Sequence, residues 1–108
     1  MKTITKEELK KMFDENQDFY LADVLSNESY QNKHIKGAIN VSIKDGDFSE
    51  NAKSAFTKEQ KIVVYCSNFQ CSASTRAAKQ LVEMGYKNVY EYEGGLKDWE
   101  DAGFEMAQ

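Results

Sequence analysis

Apolar positions along this chain alternate between two rhythms. Leu9, Met12 and Phe13 recur at helical spacing behind Thr5-Lys6-Glu7-Glu8, a capping box in which Thr5 caps and Glu8 reaches back. An amphipathic helix is therefore predicted over 6–15. Phe19-Tyr20-Leu21-Ala22-Asp23-Val24 is apolar but short, and reads as a buried strand ending near Asp23. Ser26-Asn27-Glu28 opens a short helix through Tyr30, Gly37–Val41 reads as a second strand, and Lys44-Asp45-Gly46-Asp47 is a polar turn. Residues 48–56 are read as one or two helical turns. Ile62-Val63-Val64-Tyr65 is β-branched or aromatic throughout, as suits a central parallel strand buried on both faces. Ala73, Ala77, Ala78, Leu81 and Val82 predict a helix over 73–84, with Gly85 where a left-handed residue ends it. Val89–Tyr92 is another strand, Gly94-Gly95 breaks it, and Leu96–Ala102 forms a last helix that stops at Gly103. Strands alternating with helices predict an α/β fold with a mainly parallel sheet flanked by helices.

Composition narrows what such a fold does here. The 108 residues, 41% hydrophobic and 30% charged, suit one domain spanning 1–108 with its own core. No apolar run approaches the roughly 18 residues of a membrane span. Met1–Glu8 turns polar at once, unlike a signal peptide, so the chain is read as cytoplasmic. A net charge of -4 without a basic cluster argues against nucleic acid. The two cysteines, Cys66 and Cys71, then point to a reducing compartment where free thiols do chemistry. One histidine and one C-x4-C pair cannot complete a four-ligand zinc site, and no cofactor is expected.

Cys66 falls where strand 62–65 meets the helix at 73. Ligands of parallel sheets bind beyond the carboxyl ends of the strands. Unpaired amides and the positive end of a helix dipole there stabilise negative charge on sulfur, and the thiolate is the nucleophile. Ser67, Asn68, Phe69, Gln70, Cys71 and Ser72 would curl around Cys66 and offer up to six amide donors to its sulfur and to a bound substrate. Ser72 or Ser74 would cap the helix. Arg76 is the one cation near the loop, placed either to meet an anionic substrate or to face solvent. Against this stands the plain alternative that Cys66 is a core residue.

Leu21-Ala22-Asp23-Val24, Tyr30, His34-Ile35-Lys36-Gly37-Ala38-Ile39-Asn40-Val41, the strand-cysteine run at Cys66, Ala77-Ala78, Leu81, Gly85-Tyr86, Val89, and Gly94-Gly95-Leu96 with Trp99 together resemble the rhodanese family of single-domain sulfurtransferases over about residues 20–104. The resemblance implies a three-layer α/β domain and Cys66 as the residue that carries sulfane sulfur as a persulfide. The donor would be thiosulfate or a protein or small-molecule persulfide, and the acceptor a thiol or cyanide. In the family, the His34 segment is a packing and turn element rather than a catalytic one.

Several positions depart from the family pattern. Leu25 stands where an arginine is usual, and Ser29 where its acidic partner would be, so both halves of an ion pair are missing together. Lys33 replaces a glycine. Cys71 takes the place of a basic loop residue, and the stretch to Gly85 is about two residues longer. Cys71 is either a second working thiol, resolving or passing on a persulfide, or a small residue tucked under the loop. A phosphatase or arsenate-reductase cradle would need arginine six residues after Cys66, where Ser72 stands. A redox module that toggles Cys66 and Cys71 between dithiol and disulfide is the remaining competitor.

Overall fold

The computed structural model describes residues 1–108. Helix α1 (Lys6–Asp14) starts at the Thr5–Glu8 capping box, with both reciprocal hydrogen bonds made. Strand β2 (Phe19–Asp23), helix α2 (Asn27–Asn32) and strand β4 (Ile39–Asn40) follow, then α3 (Phe48–Ala55), β5 (Lys61–Tyr65), α4 (Ala73–Glu83), β6 (Asn88–Tyr92) and α5 (Gly95–Asp101). Three strands escape the hydrophobic pattern: β1 (Lys2–Ile4), β3 (His34–Ile35) and β7 (Met106–Ala107). Each has only two or three residues, and each is held by pairing rather than by a pattern of its own. β1 adds in parallel to β6, and β3 with β7 makes a separate antiparallel ribbon.

The main sheet is wholly parallel, in the order β1-β6-β5-β2-β4, with β5 at its centre. Burial on both sides explains why β5 reads as an unbroken apolar run. Ile62, Val64 and Cys66 face a cluster completed by Phe48 and Ala52 of α3 and by Ala77, Ala78 and Leu81 of α4. Val63 and Tyr65 face the opposite cluster, with Leu9 and Met12 of α1 and Trp99 of α5. Gly85 takes the left-handed backbone expected after α4, at φ +96°. This is an α/β fold of three layers, as the sequence predicts.

Beneath the second cluster lies a buried polar network. The Tyr65 hydroxyl donates to Asp23 Oδ2 (2.9 Å) and accepts from the Ile35 amide (3.0 Å), while Asp23 Oδ1 accepts from the Leu25 amide (2.9 Å). Asp23 thus closes its own strand end and anchors β5. Burial raises its carboxyl above the usual range, against the opposing pull of the Leu25 amide, the Tyr65 hydroxyl and His34. The folded state then holds a proton that the unfolded chain has released. This contribution to stability is complete below the unfolded pKa of 3.8 and is lost as pH rises through the raised folded value. Asp23→Asn should therefore gain stability relative to the parent as pH rises from 3 to 7 in urea titrations. A difference that is flat across that range would contradict the assignment.

His34 is accounted for locally: its ring stacks on Tyr30 at 3.8 Å between centroids, and Nδ1 lies 2.8 Å from the Tyr30 carbonyl. Trp99 and Tyr86 are core residues, and Phe104 packs edge-on against Trp99. No helix is long and apolar enough to cross a membrane.

Candidate active site

Strand β5 delivers Cys66 to the carboxyl edge of the sheet, and the loop from Ser67 to Ser72 carries the chain to α4. Two features hold this loop. Asn68 builds a turn, its Oδ1 accepting from the Gln70 amide (2.9 Å) and its carbonyl from the Cys71 amide (3.1 Å). The first turn of α5 then grips it from the side: the amides of Leu96 and Lys97 donate to the carbonyls of Cys66 and Ser67, both at 2.9 Å. The unpaired amides at a helix start are satisfied here by the loop itself. Gly95, at φ +68°, lies so close to the loop backbone that a Cβ there would come within 2.9 Å of the Ser67 carbonyl carbon.

The sulfur environment differs from the one the sequence suggests. Cys66 is 0% exposed and packs with the α3–α4 cluster. Its Sγ has two acceptors, the Ser74 hydroxyl at 3.4 Å and the Cys71 carbonyl at 3.5 Å. Burial pushes the Cys66 thiol up, and the neighbouring Cys71 adds to this. The hydroxyl and amide of Ser74 pull the other way without prevailing. The expected ring of loop amides does not form around Cys66, because the amides of Gln70 and Cys71 are used within the turn.

Donors gather instead on Cys71. Partial burial works against its ionisation, but the Cys66 thiol, the amides of Ser67 and Ala73 and the Ser67 hydroxyl outweigh it, bringing Cys71 down to about 7. Cys71 is also the more accessible of the two free thiols. The site therefore pairs a fully buried thiol, whose ionisation burial opposes, with a partly exposed thiol on which hydrogen-bond donors gather.

A second correction concerns the helix start. Ser72 occupies the cap position of α4 but makes no side-chain capping bond, and Ser74 lies inside the helix. Ser74 turns inward, donating to Glu91 Oε2 (2.8 Å), and Thr75 donates to the same oxygen (2.6 Å). Glu91 is 2% exposed in the middle of β6. From the sequence Ser74 is expected only as a candidate cap, and Thr75 and Glu91 are not singled out. Their signal was present as a lone carboxylate inside the apolar run Val89–Tyr92 and two hydroxyls in the first turn of an alanine-rich helix.

The remaining loop residues divide by exposure. Ser67 and Asn68 are half-buried, Gln70 and Ser72 are exposed, and Phe69 projects from the tip at 65% exposure. Phe69 walls a cavity of about 230 Å³ with Ile4, Tyr92, Gly94 and Asp98, and neither sulfur lines it. Arg76 is exposed on α4 and forms no ion pair. No cluster of three or more metal-ligating side chains forms.

The chain matches the Rhodanese-like domain family over residues 5–102. It belongs to the rhodanese-like family. It is 37% identical over 83 residues to the thiosulfate sulfurtransferase GlpE of Coxiella burnetii, covering 76% of this chain and 72% of that protein. It is 40% identical over 77 residues to the thiosulfate sulfurtransferase PspE of Escherichia coli, covering 70% and 69%. Among solved structures, the Alr3790 protein of Anabaena superposes with a TM-score of 0.86 at 27% identity, covering 96% of this chain and 90% of that one.

Within this rhodanese-like domain the departures from the family pattern have visible substitutes. Leu25 packs against the α3–α4 cluster, and Ser29 bonds to Ser26 (3.1 Å) at the start of α2, so no half of the missing ion pair is left buried. Lys33 reaches Glu100 of α5 at 2.8 Å. The loop brings Cys71 back beside Cys66, with its carbonyl 3.5 Å from the Cys66 sulfur.

Proposed function

We propose that this protein is a sulfurtransferase that carries sulfane sulfur as a persulfide on Cys66. It takes that sulfur from thiosulfate or a small-molecule or protein persulfide and passes it to a thiol or cyanide. The family and the thiosulfate sulfurtransferases it resembles support the activity. What supports the residue is the seat of Cys66 at the carboxyl end of the central strand, in contact with both Cys71 and Ser74.

In the first half-reaction the Cys66 thiolate attacks the outer sulfur of thiosulfate. The S–S bond breaks, its electron pair leaves with sulfite, and Cys66 keeps the sulfur as a persulfide anion. In the second, cyanide or a thiolate attacks that terminal sulfur, and the Cys66 thiolate is released. Cys71, the thiol that ionises near pH 7, is suited to take the sulfur in between: its thiolate attacks the persulfide and becomes the persulfide itself, regenerating the Cys66 thiolate. Such a carrier suits a reducing, cytoplasmic setting, in which neither thiol is lost to oxidation.

Incubation with thiosulfate followed by intact-mass measurement should show an added mass of about 32 Da, the mass of one sulfur atom, on a persulfide intermediate. Cyanide should remove it, and Cys66→Ala should never acquire it. An adduct that persists undiminished in Cys66→Ala would end the assignment.

The contact between the two thiols also favours a redox reading. The Cys71 thiolate would attack a peroxide, forming a sulfenic acid, and Cys66 would displace water to give a disulfide. Loss of both free thiols under mild peroxide, with no sulfur uptake from any sulfane donor, would favour that reading over transfer.

A further inference from the structure

We propose that Glu91, acting through the Ser74 hydroxyl, accepts the proton that Cys66 must lose before it can attack. The inference rests on the sulfurtransferase reading for its purpose, but not for its test. It begins from the burial of a carboxylate in the interior of the sheet. A carboxylate inside a central parallel strand is costly to desolvate unless paired. Glu91 is 2% exposed and has no ion pair with any lysine, arginine or histidine. Its side-chain partners are two hydroxyls from the first turn of α4, Ser74 at 2.8 Å and Thr75 at 2.6 Å.

The direction of these bonds determines what the chain of groups can do. Ser74 spends its only proton on Glu91, so its oxygen faces Cys66 as an acceptor, 3.4 Å from Sγ. The sequence Cys66 S–H to Ser74 O–H to Glu91 carboxylate is then a continuous donor-to-acceptor line. One concerted shift moves the thiol proton to the Ser74 oxygen as the Ser74 proton passes to Glu91 Oε2. The S–H electron pair stays on sulfur, and the carboxylate becomes a carboxylic acid. Charge leaves the carboxylate as it appears on sulfur, so the buried site keeps one negative charge throughout. Cys66 thereby becomes nucleophilic without any of the exposed cations the sequence offers.

The titratable groups along this line are Cys66 just past the end of β5, Glu91 on β6 and, on the loop, Cys71. The Cys71 thiol is the rival proton acceptor, so the test removes it; the Cys71 carbonyl, 3.5 Å from Sγ, is unchanged by that substitution and binds the thiol without taking its proton. Glu91 does not touch the reacting sulfur and is a positioning, proton-holding residue.

The experiment follows iodoacetamide alkylation of Cys66 from pH 5 to 10 in Cys71→Ser, and compares Glu91→Gln, Ser74→Ala and Thr75→Val made in that background. Thermal melts confirm that each variant is folded. In Cys71→Ser the rate should hold a plateau around neutral pH beneath the final rise of the bare thiol. Glu91→Gln and Ser74→Ala should lose that plateau and fall on the order of 10²-fold at pH 7, the lower range for positioned proton transfer. Thr75→Val removes a donor from the accepting Oε2 but leaves the Ser74 link intact, so the plateau should persist with its low-pH edge moved upward. A carboxylate that served only to hold α4 would act on Cys66 as a like charge. Neutral glutamine would then leave the pH 7 rate unchanged or raise it, and either result overturns the proposal. Thiosulfate loading of the wild-type chain is measured in parallel. Its failure alone would count against the sulfurtransferase reading, while the alkylation profile would still decide the role of Glu91.

Discussion

Gly95→Ala is expected to cost about 3–5 kcal/mol, a range typical of forced backbone strain with overpacking. Two effects combine. The backbone at Gly95 sits at φ +68°, where a side chain is disfavoured by roughly 1–2 kcal/mol. The new Cβ would also meet main-chain atoms: the Ser67 carbonyl carbon at 2.9 Å, the Asn68 nitrogen at 3.0 Å and, closer still, the Cys66 carbonyl oxygen. Those atoms cannot swing away as a side chain would, because Leu96 and Lys97 tie the same carbonyls to α5. Relief requires α5 and the cysteine loop to part. The melting temperature should fall by roughly 12–20 °C at about 4 °C per kcal/mol. Sulfur transfer in the surviving folded protein should fall about 10²-fold, the scale for misplacing a reacting group by about 1 Å. Gly103→Ala is the control: its backbone is also left-handed, at φ +81°, but no atom lies within 4 Å of the added Cβ, so it carries the backbone cost without the clash. A Gly95→Ala protein that melts and turns over like the parent would show that α5 does not hold the loop.

Tyr65→Phe should destabilise the fold by about 2–5 kcal/mol while removing a single oxygen. The lost hydroxyl serves two buried partners at once, accepting from the Ile35 amide and donating to Asp23 Oδ2. Each orphaned group costs roughly 1–3 kcal/mol. Asp23, Ile35 and Tyr65 are all 0% exposed, so water cannot replace the hydroxyl without opening the core. Asp23→Asn combined with Tyr65→Phe should recover part of the loss, because the buried carboxylate is then no longer charged and short of a donor. Urea unfolding of the two single variants and the double variant measures this coupling. Strict additivity would mean that the network does not act as a unit.

Much of this architecture was legible because the relevant signals are local. The capping box at Thr5–Glu8, the apolar run of β5 and the glycine after α4 each state an element within a few residues, and each formed where it was expected. β1, β3 and β7 were not legible, since strands of two or three residues exist only through partners elsewhere in the chain. At the site, the placement of Cys66 could be read from the run Ile62–Tyr65 followed by a polar loop. Its electrostatics could not. Whether an amide points at a sulfur depends on where Asn68 folds the loop and on how α5 turns the carbonyls of residues 66 and 67. Neither is a property of the loop's composition.

The sequence by itself determined the order of the helices and of strands β2, β4, β5 and β6, the buried central strand and the cysteine at its end, because periodicity and short-range capping are written in neighbouring residues. Tertiary structure alone decided which thiol is buried and which gathers donors, and that Ser74 faces inward to Glu91 rather than capping α4. These depend on burial and on donor direction, quantities that arise only when β5, β6, α4 and α5 are brought within a few ångströms of one another.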